Sequence, residues 1–66
     1  MLVQFLVEEG DSEVWKDLYI KEEMISAMYV LDEYDDIVNV LYDGTYMSFK
    51  RIPKLIKYLE KEFIYA

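Results

Sequence analysis

A chain of 66 residues predicts one domain, residues 1–66, and 55% hydrophobic residues are more than so small a core can bury. The excess predicts a homodimer or a surface kept for a partner. Histidine and cysteine are absent, which excludes Ser-His-Asp and Cys-His catalysis and disulfides, so we expect neither an enzyme nor a cofactor. No apolar run has the length of a membrane span and no secretory signal is present, which predicts a cytoplasmic protein.

Two strands are predicted in the first twenty residues. Residues 2–7 form an apolar, β-rich run that ends at the turn cluster Glu8-Glu9-Gly10-Asp11, as is typical of a central or doubly covered strand. Residues 13–20 alternate between apolar and polar side chains and are interpreted as a second strand. Their apolar side chains also fit one face of a helix beginning at Asp11 or Ser12, so this helix stays open as the alternative.

A tight turn and a third strand follow. Residues 21–25 break the alternation as one helical turn, and residues 26–31 resume a strand rich in β-formers. The acidic segment 32–36 is predicted to be a loop. Its carboxylates could hold a hard cation, but the spacing lacks the glycine and the distal glutamate of a calcium loop. A solvated loop is the favoured interpretation, and no metal is predicted.

Asp43-Gly44 predicts a two-residue β-hairpin turn, because a type I′ turn requires positive φ at both positions. A loop of this length fixes the pairing of the two strands. The predicted core-face pairs are Tyr42 with Thr45, Val40 with Met47 and Val38 with Phe49. The opposite face is too apolar to be covered by solvent alone, and it carries Ile37, Asn39, Leu41, Tyr46, Ser48 and Lys50.

After Lys50 the apolar period changes from two to 3.6 residues, which predicts a C-terminal amphipathic helix with Pro53 in its first turn. The apolar stripe consists of Ile52, Leu55, Ile56, Leu59 and Phe63. The other side carries the basic residues Lys50, Arg51, Lys54, Lys57 and Lys61. A solvated face is favoured there over binding of the lysines at 54, 57 and 61 to anionic lipid or RNA. The whole order predicts an α+β fold: an antiparallel sheet of four to five strands with the helix packed on one face.

Residues 18–59 consist of a segment with regularly spaced apolar residues, then the hairpin and then the helix. The residues that define this layout are Leu18, Ile20, Ile25, Asp36, Val38, Val40, Leu41, Gly44 and the helix from Ile52. The layout resembles the small flagellar proteins of the FlbD type. The resemblance implies a structural adaptor, which would bind a partner through the apolar outer face of the 37–50 hairpin with Ile37, Leu41 and Tyr46.

Charge is distributed unevenly along the chain. Residues 1–43 carry twelve acidic and two basic side chains, a net charge of −10, whereas residues 44–66 carry a net charge of +3. Direct binding of nucleic acid is disfavoured, because it requires neutralisation of phosphates by lysine and arginine. The electrostatic field of the acidic residues favours a basic protein as the partner.

Carboxylates interleaved with aromatic rings can imitate the charge spacing of a duplex and occupy a basic groove. In size and acidity the chain is similar to phage-encoded anti-restriction and anti-CRISPR inhibitors. That similarity implies an inhibitor of a nucleic-acid-binding host defence enzyme, acting by nucleic-acid mimicry or groove blocking, and the alternative is an ordinary solubilising surface. The predicted partner-binding residues are Glu22, Glu23, Asp32, Glu33, Asp35, Asp36, Tyr34 and Trp15.

Overall fold

The computed structural model describes residues 1–29 and 36–63, which form an antiparallel five-stranded sheet and one helix. The fold is therefore α+β, as predicted. The elements are β1 (Leu2–Glu9), β2 (Ser12–Tyr19), a 3₁₀ turn (Glu22–Met24), β3 (Ile25–Tyr29), β4 (Ile37–Tyr42), β5 (Thr45–Lys50) and α1 (Pro53–Glu62). The order across the sheet is β2-β1-β5-β4-β3, so β5 is the central strand and β1 is an interior strand beside it. The predicted end of the third strand and most of the acidic loop, residues 30–35, lie outside the described residues.

The β4–β5 hairpin has the predicted turn and pairing. Asp43 and Gly44 adopt φ values of 47° and 79°, which a type I′ turn requires. The three predicted core-face pairs of this hairpin are all present. The turn chemistry alone therefore placed every side chain of β4 and β5 on its correct face.

The first hairpin is longer than predicted. Glu8 and Glu9, expected in a turn cluster, continue β1 and pair with Glu13 and Ser12. Gly10 has a φ of 62° and supplies the positive φ that a two-residue turn needs at its first position, so the loop takes only two residues. The same pairing makes residues 12–19 a strand, because β2 pairs with β1 along its whole length.

The helix covers one side of the sheet. Leu55 and Leu59 are fully buried against the central strands, where Val3, Val40 and Phe49 are also fully buried. Pro53 occupies the first turn, where its missing N–H leaves no hydrogen bond unmade. Within the described ranges, no helix combines the length and the apolar character needed to cross a membrane.

The sheet is curled around this core. Strands β2 and β3 lie on opposite edges, which in a flat sheet would be about 19 Å apart across four strand spacings. The link from Tyr19 to Ile25 spans six residue steps, which reach about 20 Å only when fully extended. Three of its residues form the 3₁₀ turn, which shortens that reach. The two edges therefore approach each other, with Ile20 and Ile25 both buried in the core.

Candidate functional site

The side of the sheet opposite α1 is called the helix-free face below. Strand alternation and the observed pairing place the following side chains on it: Leu2, Gln4, Leu6, Glu8, Glu13, Trp15, Asp17, Tyr19, Ala27, Tyr29, Ile37, Asn39, Leu41, Tyr46, Ser48 and Lys50. Contacts between the strands agree with this assignment. Lys50 Nζ lies 5.8 Å from the centre of the Trp15 ring, and Ser48 Oγ donates a hydrogen bond to Asn39 Oδ1 over 2.6 Å.

Apolar and aromatic side chains on this face are exposed. Tyr19 and Tyr46 retain 79% and 72% of their accessible surface, and Leu2 retains 46%. Trp15 is partly buried. Tyrosine and tryptophan give a large contact area at low conformational cost, and both are enriched at protein interfaces. The helix-free face therefore has the composition of a protein-binding surface.

A β-bulge brings Tyr29 onto this face. Ile25 pairs with Tyr42 and Ala27 pairs with Leu41, so Ser26 is an extra residue in β3. Without the bulge, simple alternation from the buried Ile25 would point Tyr29 at the core. With it, Tyr29 contacts Tyr46, with ring centroids 5.4 Å apart and a 3.5 Å contact between the two hydroxyls.

Carboxylates border the helix-free face on the β1–β2 hairpin. Glu8 and Glu13 are directly opposed across the two strands, and both are exposed. Asp17 lies on the same face and accepts a 3.3 Å hydrogen bond from Gln4 Nε2. Like charges directly opposite each other destabilise a sheet. Sequence reasoning did not select this pair, because it follows only once Gly10-Asp11 is taken as a complete two-residue turn.

The predicted acidic residues Glu22 and Glu23 lie in the 3₁₀ turn, at the rim of the core. The Glu22 carboxylate is 3.0 Å from the amino group of Met1, and the backbone carbonyl of Glu22 accepts a 3.1 Å hydrogen bond from the Tyr58 hydroxyl. Met24 in the same turn accepts a hydrogen bond from the backbone N–H of Asp43. Both glutamates therefore lie at the end of β4 that is next to the Asp43-Gly44 turn.

Asp36 lies at the opposite end of β4, where its carbonyl accepts a 2.8 Å hydrogen bond from the Arg51 N–H. Six residue steps of extended strand, about 20 Å, separate it from Tyr42. The structure consequently does not bring Asp36 together with Glu22 and Glu23. The other predicted members of that surface, Asp32, Glu33, Tyr34 and Asp35, lie outside the described residues.

The three residues predicted for the adaptor interface lie together on one face of the sheet. Ile37, Leu41 and Tyr46 all lie on the helix-free face, with Tyr46 exposed and the other two partly buried. Trp15, predicted as part of the acidic surface, lies on that same face through β2. Two residues that the sequence had not singled out, Tyr19 and Tyr29, complete the ring-bearing surface.

The contact between Tyr58 and the 3₁₀ turn predicts a pH dependence. The pKa of Tyr58 is raised, first by burial and then by the carboxylates of Glu62, Glu22 and Glu23. A pKa that is higher in the folded state gives stability that is present below pH 10 and is lost as the pH rises through the folded value. We expect Tyr58→Phe to cost about 1 kcal/mol at pH 7 through the lost hydrogen bond. It should also flatten the alkaline decline in the free energy of unfolding, measured by urea titration, whereas the exposed control Tyr19→Phe should retain the decline.

Within residues 1–29 and 36–63, no group of three or more acidic side chains is placed to hold a metal ion. Comparisons of the chain with protein-family models, with curated proteins and with solved structures gave no match. The resemblances to FlbD-type proteins and to phage-encoded inhibitors therefore stay predictions.

Proposed function

We propose that this protein is a non-enzymatic binding protein that holds a basic protein partner on its helix-free face. The supporting observation is that this face presents exposed rings, Tyr19 and Tyr46 foremost, beside carboxylates with little compensating positive charge. Glu8, Glu13 and Asp17 share the face with one lysine, Lys50, which already lies against Trp15. A partner with apolar and cationic side chains would complement both features.

The basic side of the molecule points elsewhere. The exposed lysines of α1, Lys54, Lys57 and Lys61, outnumber its two exposed glutamates, and this helix lies across the sheet from the helix-free face. A positively charged partner is therefore attracted more strongly to the face that bears the rings than to the outer side of α1. The homodimer predicted from composition stays a prediction, and like charges disfavour stacking two copies through the helix-free face.

We expect Leu41→Asp to abolish partner capture, because it places an unpaired carboxylate in the centre of the apolar surface. The matched control is Lys57→Asp, which places the same side chain on the exposed side of α1. Both variants would be used as bait against a cell lysate, with folding checked by circular dichroism. The proposal is supported by a protein that the parent chain and Lys57→Asp both capture and that Leu41→Asp does not. Equal capture by the two variants contradicts it.

A second candidate function is inhibition of a nucleic-acid-binding enzyme by occupation of its basic groove. The opposed pair of Glu8 and Glu13 favours it, because the sheet holds two like charges together and a cationic partner would relieve their repulsion. In this candidate the carboxylates lie on the β1–β2 hairpin instead of the acidic loop. Binding would then fall steeply in about 0.5 M salt, where the Debye length is roughly 4 Å.

The double substitution Glu8→Gln with Glu13→Gln should have opposite effects on stability and on binding. Removing the repulsion should stabilise the fold by about 0.2–1 kcal/mol, measured as a higher urea midpoint. Removing the charges should weaken capture of the basic partner, measured by elution at lower salt. A control double substitution at the exposed helix residues Glu60 and Glu62 should leave the elution salt unchanged. If the hairpin variant elutes like the parent chain, these carboxylates do not contact the partner.

A further inference from the structure

The helix-free face contains a cleft next to Tyr29 and Tyr46, with a volume of about 390 Å³. Resting on the function proposed above, we propose that this cleft binds the guanidinium group of an arginine that the basic partner presents. The cleft is then the part of the face that selects the partner, and arginine is the side chain that it selects.

Geometry makes the cleft suitable for a flat cation. The two tyrosine rings are tilted by 53° with centroids 5.4 Å apart, an aromatic contact that leaves the outer ring surface of the exposed Tyr46 open to a flat ligand. Their hydroxyl oxygens are 3.5 Å apart and can both accept hydrogen bonds. Asn39 and Ser48, linked by their 2.6 Å hydrogen bond, contribute polar atoms to the lining.

The same face already holds a cation against an aromatic ring. Lys50 Nζ lies 5.8 Å from the centre of the Trp15 ring, within the range of a cation–π interaction. Arginine suits the tyrosine cleft better than lysine does, because its planar guanidinium stacks on rings and its N–H groups donate in a fixed fork. Both hydroxyls are protonated at neutral pH, because a tyrosine ordinarily loses its proton only near pH 10, and the hydrogen bond with Tyr46 raises the pKa of Tyr29 further. The attraction thus comes from the ring faces and the oxygen lone pairs.

Charge on the surrounding surface favours a cationic occupant over the alternatives. Counted from the pair Phe5 and Phe49, the antiparallel register brings Glu8 of β1 to the level of Tyr46 on β5. A nucleic acid would meet these carboxylates with its own negative charge. A second copy of the chain would bring the same carboxylates and a net charge of −7. A basic segment is attracted to the rings and to the carboxylates together.

The test is a titration of the ¹⁵N-labelled full chain with two short capped peptides of equal charge, one alternating glycine with arginine and the other glycine with lysine. We expect amide shifts at Tyr29, Tyr46 and Ser48, with the arginine peptide binding about 2- to 5-fold more tightly than the lysine peptide. Tyr46→Ala should remove that preference. Thr45→Ala, an exposed and neutral substitution on the other face of the same strand, should keep it.

The possible outcomes separate this inference from the function on which it rests. Shifts that appear on the helix-free face but avoid Tyr29 and Tyr46, or equal affinities for the two peptides, overturn the arginine cleft and leave the binding face standing. Shifts that are absent from the whole face count against both. Cleft shifts produced by raising the protein concentration, without peptide, would assign the cleft to a second copy and also overturn the inference.

Discussion

Phe49→Ala is expected to lower the free energy of unfolding by about 3–5 kcal/mol, because the substitution removes a large buried side chain and leaves a cavity. Phe49 is fully buried in the central strand β5, opposite Phe5 on one side and Val38 on the other. It also packs edge-to-face on Tyr42, with ring centroids 6.2 Å apart. A domain of this size has roughly 3–10 kcal/mol of stability in total, so much of the variant should be unfolded at 25 °C.

The measurement is urea denaturation monitored by circular dichroism, with sucrose added if the variant has no folded baseline. Tyr46→Ala is the matched control, since it deletes an aromatic ring from the same strand on the exposed face. We expect the control to cost under about 1 kcal/mol. Equal losses for the two variants would show that the core does not depend on the packing between β5 and α1.

Much of this fold follows from local sequence. Asp43-Gly44 fixes the pairing of β4 and β5, and the change of period after Lys50 predicts the helix with its buried stripe. The choice between strand and helix for residues 13–20 needed more than the local pattern, because their apolar side chains fit both periods. Pairing with β1 through the two-residue turn at Gly10 decided it.

The candidate site was harder to predict, for two physical reasons. The helix-free face joins the β1–β2 and β4–β5 hairpins through the contact of Phe5 with Phe49, which are far apart in sequence and carry no local signal of pairing. The position of Tyr29 depends on the bulge at Ser26, which reverses the facing of every residue after it in β3. The acidic residues between Glu22 and Asp36 were predicted to form one surface. In the structure Glu23 and Asp36 lie at opposite ends of β4, so the length of that strand separates them.

Together these features distinguish the two sides of the sheet. The α1 side holds the fully buried residues and stabilises the fold, whereas the helix-free face keeps rings and carboxylates exposed at a cost in stability. Variants on the two faces should consequently differ in the property that they change. Core substitutions should change stability first, and substitutions on the helix-free face should change binding with little loss of stability.

Gly44→Ala is expected to destabilise the protein by about 1–2 kcal/mol, because an L-residue is strained at the positive φ that the turn requires. Gly44 has a φ of 79°, and a Cβ added there would meet no atom within 4 Å, so the cost comes from the backbone alone. A chain of 66 residues can be made by chemical synthesis, which allows D-alanine at the same position. D-alanine favours positive φ and restricts the unfolded chain, so it should stabilise the protein by about 0.4–1 kcal/mol. The two urea midpoints should therefore lie on opposite sides of that of the parent chain. If both variants lose stability equally, the added methyl group rather than the φ angle is responsible, and the strain assigned to an L-residue at this position is wrong.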